Sequence, residues 1–409
     1  MKIAFNIFLI ALCITVLAWV IPWLYSLVFP AATNDPFVAF SPISESFIIS
    51  TTDEGENEIS EYDSNGNNTG RKFTREERDS LLPQIYYTQL VARDKLPDSL
   101  CNKEITIPNI KHSQWVFNSI PHDINKVSAE IYLLMESMPS RIELEDPKEA
   151  FRLNEKMEII DIATNTVNTK RSSAFTNILK ERGFAYPAKH LSANITTRKP
   201  YDEGYLIIDN ENQIYHVKMQ AGRPYVVKIN QAAGMKANYV FILENTDTRH
   251  LGLVTDTENN LYVLERDGYR LKKLDVGKIY PEYNKLTIIK SLFNWIVKIS
   301  ESDGARWIAL NSDDYSRLGS FENKYRKSTS QAVASYIFPF ELTFTSTSDC
   351  FAKPRIMFNS WLFIGLNIIL TIIVILIYRH RGYKHLSIVS ITTLIFGVYA
   401  FIPLLIIHD

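Results

Sequence analysis

The 409-residue chain lacks the residue patterns that most readily identify an activity, and it has no excess of charge. Its three cysteines are too few for a disulfide scaffold or a zinc ribbon. Its 44 lysines and arginines are balanced by 45 aspartates and glutamates, so its charge does not predict binding to nucleic acid. No Gly-x-Ser-x-Gly turn, Walker loop or dinucleotide-binding glycine turn is present. We therefore predict no catalytic, cofactor-binding or metal-binding residues.

One short pattern resembles a metal site. Asp63-x-Asn65-x-Asn67 has the spacing that opens a calcium-binding loop. However, Asn68 and Thr74 occupy the positions where such a loop carries a glycine and a bidentate glutamate. We interpret the pattern as a hairpin turn.

Three long uncharged runs lie at the ends of the chain. They cover Ile3–Phe29, Trp361–Tyr378 and Leu386–Ile407, with 27, 18 and 22 residues. About 20 apolar residues are needed to cross a bilayer, so we predict three transmembrane helices, one N-terminal and two C-terminal. A cleaved signal peptide is the alternative for the first run, but its apolar region should span only about 7–15 residues.

The loop between the last two runs predicts the orientation. Arg379, Arg381 and Lys384 lie within seven residues, and positively charged loops are retained in the cytoplasm. We therefore expect a cytoplasmic N-terminus, an outer domain, and a tail, His408-Asp409, on the outer side. The predicted domains are an N-terminal transmembrane anchor (residues 1–35), a periplasmic β-rich domain (36–355) and a C-terminal transmembrane helical hairpin (356–409).

The middle of the chain consists of short β-branched and aromatic runs separated by turn residues, which is typical of antiparallel strands. Two groups of such runs align without gaps at an offset of 47 residues, around Asp209 and Asp256. A period of 40–50 residues with four short strands per unit is typical of propeller blades. We predict a mainly β fold, with propeller-like repeated four-stranded antiparallel meanders in the outer domain. An irregular sandwich of consecutive meanders is the alternative.

A propeller would bring the two ends of the outer domain together. We therefore predict that Phe37–Phe40 and Phe338–Phe344 share one sheet and close a ring. Cys101 and Cys350 lie near opposite ends of this domain, on the side of the membrane where disulfides persist, so we expect that they can form a disulfide.

The two C-terminal helices should be antiparallel neighbours, because the loop between them is short. Pro403 cannot donate a hydrogen bond to the carbonyl of Tyr399, which would be left unpaired in lipid. Asn367 is the polar side chain at the matching depth, so we predict a polar contact of Asn367 with Tyr399 near Pro403. The alternative is that Asn367 faces a partner subunit.

Three stretches resemble a bacterial membrane-protein family of unknown function: Ala174–Phe184, Asp202–Asp209 and Gly222–Tyr225. The members of this family share one anchor, a large outer β domain and a terminal helix pair, and their genes lie beside ABC-transporter components. The resemblance implies an accessory role, an inner-membrane location and a possible ABC-type transporter as partner. It names no functional residue.

Architecture and resemblance together favour a membrane-anchored accessory or scaffold subunit that presents its periplasmic β domain to a membrane-protein partner. A different class is a membrane-anchored periplasmic enzyme that acts on glycan or peptide, with an acidic site built from residues distant in sequence. A sensor is a third class, which the short cytoplasmic segments disfavour.

Overall fold

The computed structural model describes residues 2–31, 35–53, 56–358, 360–382 and 386–407. The chain begins with helix α1 (Lys2–Val28) and divides into two compact units. The first unit is Met1–Asp35 with Tyr325–Asp409, and the second is Pro36–Lys324. The domain boundary thus falls near residue 324, not at 355, because Phe338 is buried against the helices of the first unit.

Among the described residues, the second unit contains five antiparallel sheets of four or five strands and one short two-stranded hairpin. Sheet 1 contains β1 (Phe37–Phe40), β2 (Phe47–Asp53), β3 (Glu56–Tyr62) and β4 (Asn68–Lys72). The segment after it contains α2 (Arg75–Leu81), α3 (Tyr87–Ala92), the hairpin β5 (Ser99–Leu100) and β6 (Lys103–Glu104), α4 (Ile107–Ser113), β7 (Trp115–Ser119) and α5 (Pro121–Ile124). Sheet 2 contains β8 (Tyr132–Leu134), β9 (Glu149–Leu153), β10 (Met157–Asp161) and β11 (Thr166–Val167), followed by α6 (Thr169–Glu181).

The remaining three sheets follow in chain order. Sheet 3 contains β12 (His190–Ser192), β13 (Tyr205–Ile208), β14 (Ile214–Gln220) and β15 (Arg223–Lys228). Sheet 4 contains β16 (Ala237–Ile242), β17 (His250–Asp256), β18 (Leu261–Glu265) and β19 (Leu271–Lys273). Sheet 5 contains β20 (Lys285–Lys290), β21 (Asn294–Ser300), β22 (Gly304–Asn311) and β23 (Arg317–Lys324), with β7 added beside β20. The predictions of a mainly β fold and of repeated four-stranded antiparallel sheets are confirmed.

Neighbouring sheets pack face to face through apolar clusters. Separate clusters join sheet 2 to sheet 3, sheet 3 to sheet 4, and sheet 4 to sheet 5. A fourth cluster joins sheet 5 to sheet 1, where Phe40 and Phe47 pack with Trp307. Within the described residues no such cluster joins sheets 1 and 2, so the five sheets do not form a closed propeller.

The prediction that Phe37–Phe40 and Phe338–Phe344 share a sheet is wrong. Strand β1 pairs with β2, whereas the second run contributes β24 (Glu341–Thr343), which pairs with β25 (Arg355–Met357) in the first unit. Phe338 and Phe340 of that run pack against helices, with Phe338 stacked on Tyr399 at 6.1 Å between ring centroids. Their alternation therefore serves helix packing and not a sheet of the second unit.

A recurring turn explains why the repeats align. Asp63 and Asp209 directly follow a strand, and Asp256 is the last residue of one. In each case Oδ1 accepts hydrogen bonds from the backbone N–H groups two and four residues later, at 2.8–3.0 Å. The residue three positions after each aspartate has a positive φ: 82° at Gly66, 61° at Asn212 and 64° at Asn259. The calcium-like pattern at Asp63 is therefore one copy of a structural turn.

The first unit holds the apolar helices. After α7 (Thr329–Ile337) and the β24–β25 hairpin come α8 (Phe363–His380), α9 (Leu386–Phe396) and α10 (Val398–Ile406). Among the described residues, two helices, Ala4–Val28 and Phe363–His380, are long and apolar enough to cross a membrane, by length and composition. The expectation of three such helices is wrong for Leu386–Ile407, because a break at Gly397 divides that run into two shorter helices.

Candidate functional site

A cavity of about 340 Å³ lies in the second unit where β1, β7 and β20 come together. All of β1 lines it, together with Trp115 and Val116 of β7 and Ile289 and Lys290 of β20. Gln84, Gln114 and Asn294 add side-chain amides to a lining that is otherwise mainly apolar. Mostly apolar walls with a few placed polar groups are typical of binding cavities.

Two strand edges open onto this cavity. Strand β1 is at one edge of sheet 1, and β7 is at one edge of sheet 5. In an antiparallel pair the backbone groups of alternate residues point away from the partner strand. The backbone groups of Phe40 point away from β2, because the Phe40 carbonyl accepts hydrogen bonds from Asn294 Nδ2 at 3.0 Å and from Gln84 Nε2 at 3.4 Å. By the same alternation, the N–H and C=O of Val38 face the open edge of sheet 1.

Two buried polar atoms of the lining have no hydrogen-bond partner among the described residues, Oε1 of Gln84 and Nε1 of Trp115. The Gln84 side chain is buried. The residue is fixed in place, because its Nε2 donates to Phe40 and its backbone carbonyl accepts from Gln114 Nε2. A buried acceptor without a donor lowers stability by about 1–3 kcal/mol. A ligand that donates an N–H to Oε1 would recover this free energy on binding.

The charge of Lys290 is neutralised beside the cavity. Its Nζ lies 2.7 Å from Asp247 Oδ2 and donates to the carbonyl of Ser113 at 2.9 Å. Burial lowers the pKa of Lys290, and the hydrogen bond to Asp247 opposes that effect. None of the described residues that line the cavity is a carboxylate.

A second cavity, of about 390 Å³, is a shallow surface depression lined by Arg141, Glu145, Asp146 and Lys148 among others. Glu145 pairs with Arg141 at 3.2 Å and with Lys148 at 3.0 Å. The hydrogen bond from Lys148 holds the pKa of Glu145 below its usual value. Glu145 is therefore ionised and paired with two exposed basic side chains.

Buried ion pairs join sheets 3 and 4. Glu203 binds Arg266 and also Lys218, whose Nζ lies 2.9 Å away. Burial raises the pKa of Glu203, but the hydrogen bond from Lys218 and the neighbouring positive charges bring it below the ordinary value. Nearby, Lys199 Nζ lies 2.6 Å from Asp202 and 2.7 Å from Glu244. These carboxylates hold the fold together.

Two histidines form further side-chain contacts between neighbouring sheets. His216 Nδ1 lies 2.8 Å from the hydroxyl of Tyr269 in the β18–β19 connection, and His250 Nε2 lies 3.1 Å from that of Tyr315 in the β22–β23 connection. Both tyrosines have a positive φ, 52° and 64°, and each follows the third strand of its sheet. Burial lowers the pKa of both histidines to about 4, so they are neutral at pH 7.

The predicted cysteine pair is not joined in the structure. Cys101 and Cys350 are exposed free thiols and belong to different units. A disulfide between them stays a prediction. Within the described ranges no group of three or more histidine, cysteine, aspartate or glutamate side chains is placed to hold a metal ion.

The predicted polar contact in the apolar helices has a different acceptor. Asn367 Nδ2 donates to the carbonyl of Leu394 at 2.9 Å and not to that of Tyr399. The reason is the break at Gly397, which interrupts the helical hydrogen bonds before Pro403 can do so. Tyr399 instead donates its hydroxyl to the carbonyl of Phe340 at 2.6 Å.

Comparison with known sequences identifies the family. Residues 37–310 match the family described as "Domain of unknown function (DUF4857)", and the chain belongs to it. No curated protein matches the chain.

Comparison with solved structures finds propeller-like neighbours. They include the β-propeller domain of Cps50 (Swd1) from Myceliophteria thermophila, at 11% identity and a TM-score of 0.27, covering 54% of this chain and 61% of that one. The Dos1 propeller matches at 10% identity and a TM-score of 0.28, covering 73% of this chain and 65% of that one. The chain thus spans less than two thirds of the length of either structure.

Proposed function

We propose that this protein is a membrane-anchored accessory subunit that binds an extended, apolar segment of a membrane-protein partner between β1 and β7. The observation that carries the proposal is the cavity between two open strand edges, with the unpaired Oε1 of Gln84 in its lining. The sequence predicts a scaffold function without a contact surface. This cavity of the second unit is the surface that we propose contacts the partner.

Strand addition is the binding mode that fits this cavity. An extended segment pairs its backbone with an open edge and places alternate side chains in adjacent pockets. Val38 offers one N–H and one C=O on the open side of β1, and Gln84 Oε1 can accept one further amide N–H. The exposed side chains of Phe37, Val116 and Ile289 surround the cavity with apolar surface, so the bound segment should be apolar.

The apolar helices support anchoring in a membrane. Large side chains such as Phe8 and Trp23 of α1 and Ile372 of α8 are exposed in the structure. Soluble proteins rarely expose contiguous apolar surface on this scale, whereas lipid would cover it.

The charges at the end of α8 support the orientation. Arg379 and Arg381 favour a cytoplasmic location for that end, which supports a periplasmic second unit. Lys384, the third positive charge of the predicted cytoplasmic loop, lies outside the described residues. An ABC-type transporter of the inner membrane is the partner class that the family resemblance implies.

The alternative is a membrane-anchored periplasmic enzyme that acts on glycan or peptide. Paired-acid catalysis needs two carboxyl groups that face one cleft. The cavity between β1 and β7 is lined instead by amide, serine and lysine side chains among apolar ones, which favours binding. The buried carboxylates of sheets 3 and 4 are engaged in ion pairs.

Copurification with two matched variants tests the proposal. Val116→Lys places a charge on the edge of the cavity, at a side chain that is 59% exposed, so the fold should tolerate it. Ile162→Lys makes the same change at a 47% exposed side chain just after the third strand of sheet 2, away from the cavity. The full chain in mild detergent should retain its membrane-protein partner with Ile162→Lys and lose it with Val116→Lys. Equal retention by both variants would contradict the proposal.

A further inference from the structure

Two hydrogen bonds connect α8 to the helices that follow it. Asn367 Nδ2 donates to the carbonyl of Leu394 in α9 at 2.9 Å. Tyr378 donates its hydroxyl to the carbonyl of Leu404 in α10 at 2.7 Å. At about 1.5 Å per residue, Asn367 and Tyr378 are about 16 Å apart along α8, and Tyr378 is close to its C-terminal end.

These two bonds fix the direction of α10. A continuous helix would carry Leu404 about 15 Å beyond Leu394, past the Asn367 end of α8. Leu404 would then lie about 30 Å from Tyr378, far outside hydrogen-bond reach. Since Tyr378 does reach Leu404, α10 runs back toward the C-terminal end of α8, and α9 and α10 form a helical hairpin.

Gly397 is the turning point. Its φ of 54° and ψ of −128° lie in a region that residues with a Cβ avoid. A Cβ at Gly397 would lie 2.1 Å from Asn367 Oδ1, so the close approach of α8 also requires glycine. The reversal removes the helical donor that would otherwise bond to the Leu394 carbonyl, and Asn367 Nδ2 takes its place.

Protein side chains enclose this turning point. Asn367, Tyr399 and Ala400 are fully buried, and Phe338 stacks on Tyr399. Irregular backbone at membrane depth is tolerated where protein buries it and not where it faces lipid. The enclosure of Gly397 therefore satisfies the condition for a reversal inside the bilayer.

We propose that residues 386–407 form a re-entrant hairpin that enters and leaves the membrane on the side of Arg381, in place of a third span. Helices α9 and α10, with 11 and 9 residues, are about 16 and 13 Å long, roughly half of the 30 Å hydrocarbon core. The C-terminal end then emerges on the cytoplasmic side together with the N-terminus. This inference rests on the proposed membrane anchoring and replaces the predicted outer tail; His408 and Asp409 lie outside the described residues.

Cysteine accessibility tests the side of the C-terminal end. Single cysteines are placed at Ile407, at His380 and at the exposed Asp123 of the second unit, in a full chain whose three native cysteines are replaced by serine. Sealed vesicles of both orientations are treated with a membrane-impermeant maleimide. Ile407→Cys should react from the same side as His380→Cys and from the side opposite to Asp123→Cys. Reaction of Ile407→Cys from the Asp123 side would overturn the hairpin.

A crosslink tests the hairpin without reference to the membrane. In the purified chain, Tyr378→Cys with Leu404→Cys should be joined by a short bismaleimide, whereas Tyr378→Cys with Leu394→Cys should not. Failure of the first pair to crosslink would overturn the hairpin. If His380→Cys and Asp123→Cys react from the same side of the membrane, the proposed anchoring is wrong. The crosslink still decides in that case whether the hairpin forms.

Discussion

Glu203 and Arg266 form an ion pair that joins sheet 3 to sheet 4 inside the second unit. Lys218 binds the same carboxylate, and the guanidinium of Arg266 lies over the ring of Tyr201, 5.1 Å from its centroid. A single buried acid thus balances two basic side chains, one from β14 and one that directly follows β18. Removing the Glu203 carboxylate should therefore lower the free energy of unfolding far more than removing an exposed carboxylate.

We expect Glu203→Gln to lower the free energy of unfolding by about 2–4 kcal/mol, because Arg266 and Lys218 would remain partly buried without a counter-charge. Glu58→Gln is the matched control, since Glu58 pairs with Lys72 at 3.0 Å on the exposed surface. Thermal unfolding of the purified chain measures both. Equal melting temperatures for the two variants would show that the pair does not hold the sheets together.

Three histidines with lowered pKa values predict acid sensitivity. Burial lowers the pKa of His190, His216 and His250 to about 4, against an ordinary value of about 6.5 in the unfolded chain. Above pH 6.5 these groups are neutral in both states. As the pH falls from 6.5 toward 4, the unfolded chain binds protons that the folded chain does not, so stability falls by at most about 3 kcal/mol per histidine.

A single substitution isolates this effect. The melting temperature of His216→Gln should change less between pH 6.5 and 5 than that of the wild type. This holds whatever the stability of the variant is at neutral pH. His122→Gln, at an exposed histidine, is the matched control. Identical slopes for wild type and His216→Gln would refute the assignment of a neutral, buried imidazole.

Gly397 should tolerate substitution much less well than Gly365, although both lie in the apolar helical segments. Gly397→Ala places a methyl group against Asn367 at a positive φ, where strain alone costs about 1–2 kcal/mol. A Cβ added at Gly365 would meet no neighbouring side chain within 4 Å, so Gly365→Ala should be neutral or stabilising. Melting temperatures in detergent compare the two.

The double variant separates the clash from the backbone strain. Asn367→Ala removes the atoms that a methyl group at Gly397 would meet, so part of the loss should be recovered when both substitutions are combined. Strictly additive losses would show that Asn367 and Gly397 are not in contact.

Local chemistry explains which parts of the fold the sequence predicts. Asp209 and Asp256 end equivalent strands and fold the same turn, so their alignment predicts sheets 3 and 4 correctly. The run from Phe338 to Phe344 alternates like a strand of the outer domain, but it packs on helices, because alternation does not specify which surface buries a side chain.

The cavity and the helix reversal depend on contacts that the sequence does not show. Phe40, Gln84 and Asn294 come from three distant segments and meet through the packing of sheet 1 on sheet 5. Hydropathy is the same for a spanning helix and for a hairpin that turns back, so the run from Leu386 to Ile407 predicts a span. Gly397 is the signal of the reversal within that run, and a lone glycine in an apolar run is too common to predict one.

Photo-crosslinking from the edge of the cavity tests whether a partner segment binds between β1 and β7. A photoreactive phenylalanine analogue replaces Val116 in the full chain, with the same replacement at Ile162 as control, and the adducts formed in native membranes are sequenced by mass spectrometry. We expect an adduct at position 116, absent at 162, that maps to one apolar, extended segment of a membrane protein. Adducts to lipid alone, or to the same proteins from both positions, would contradict it.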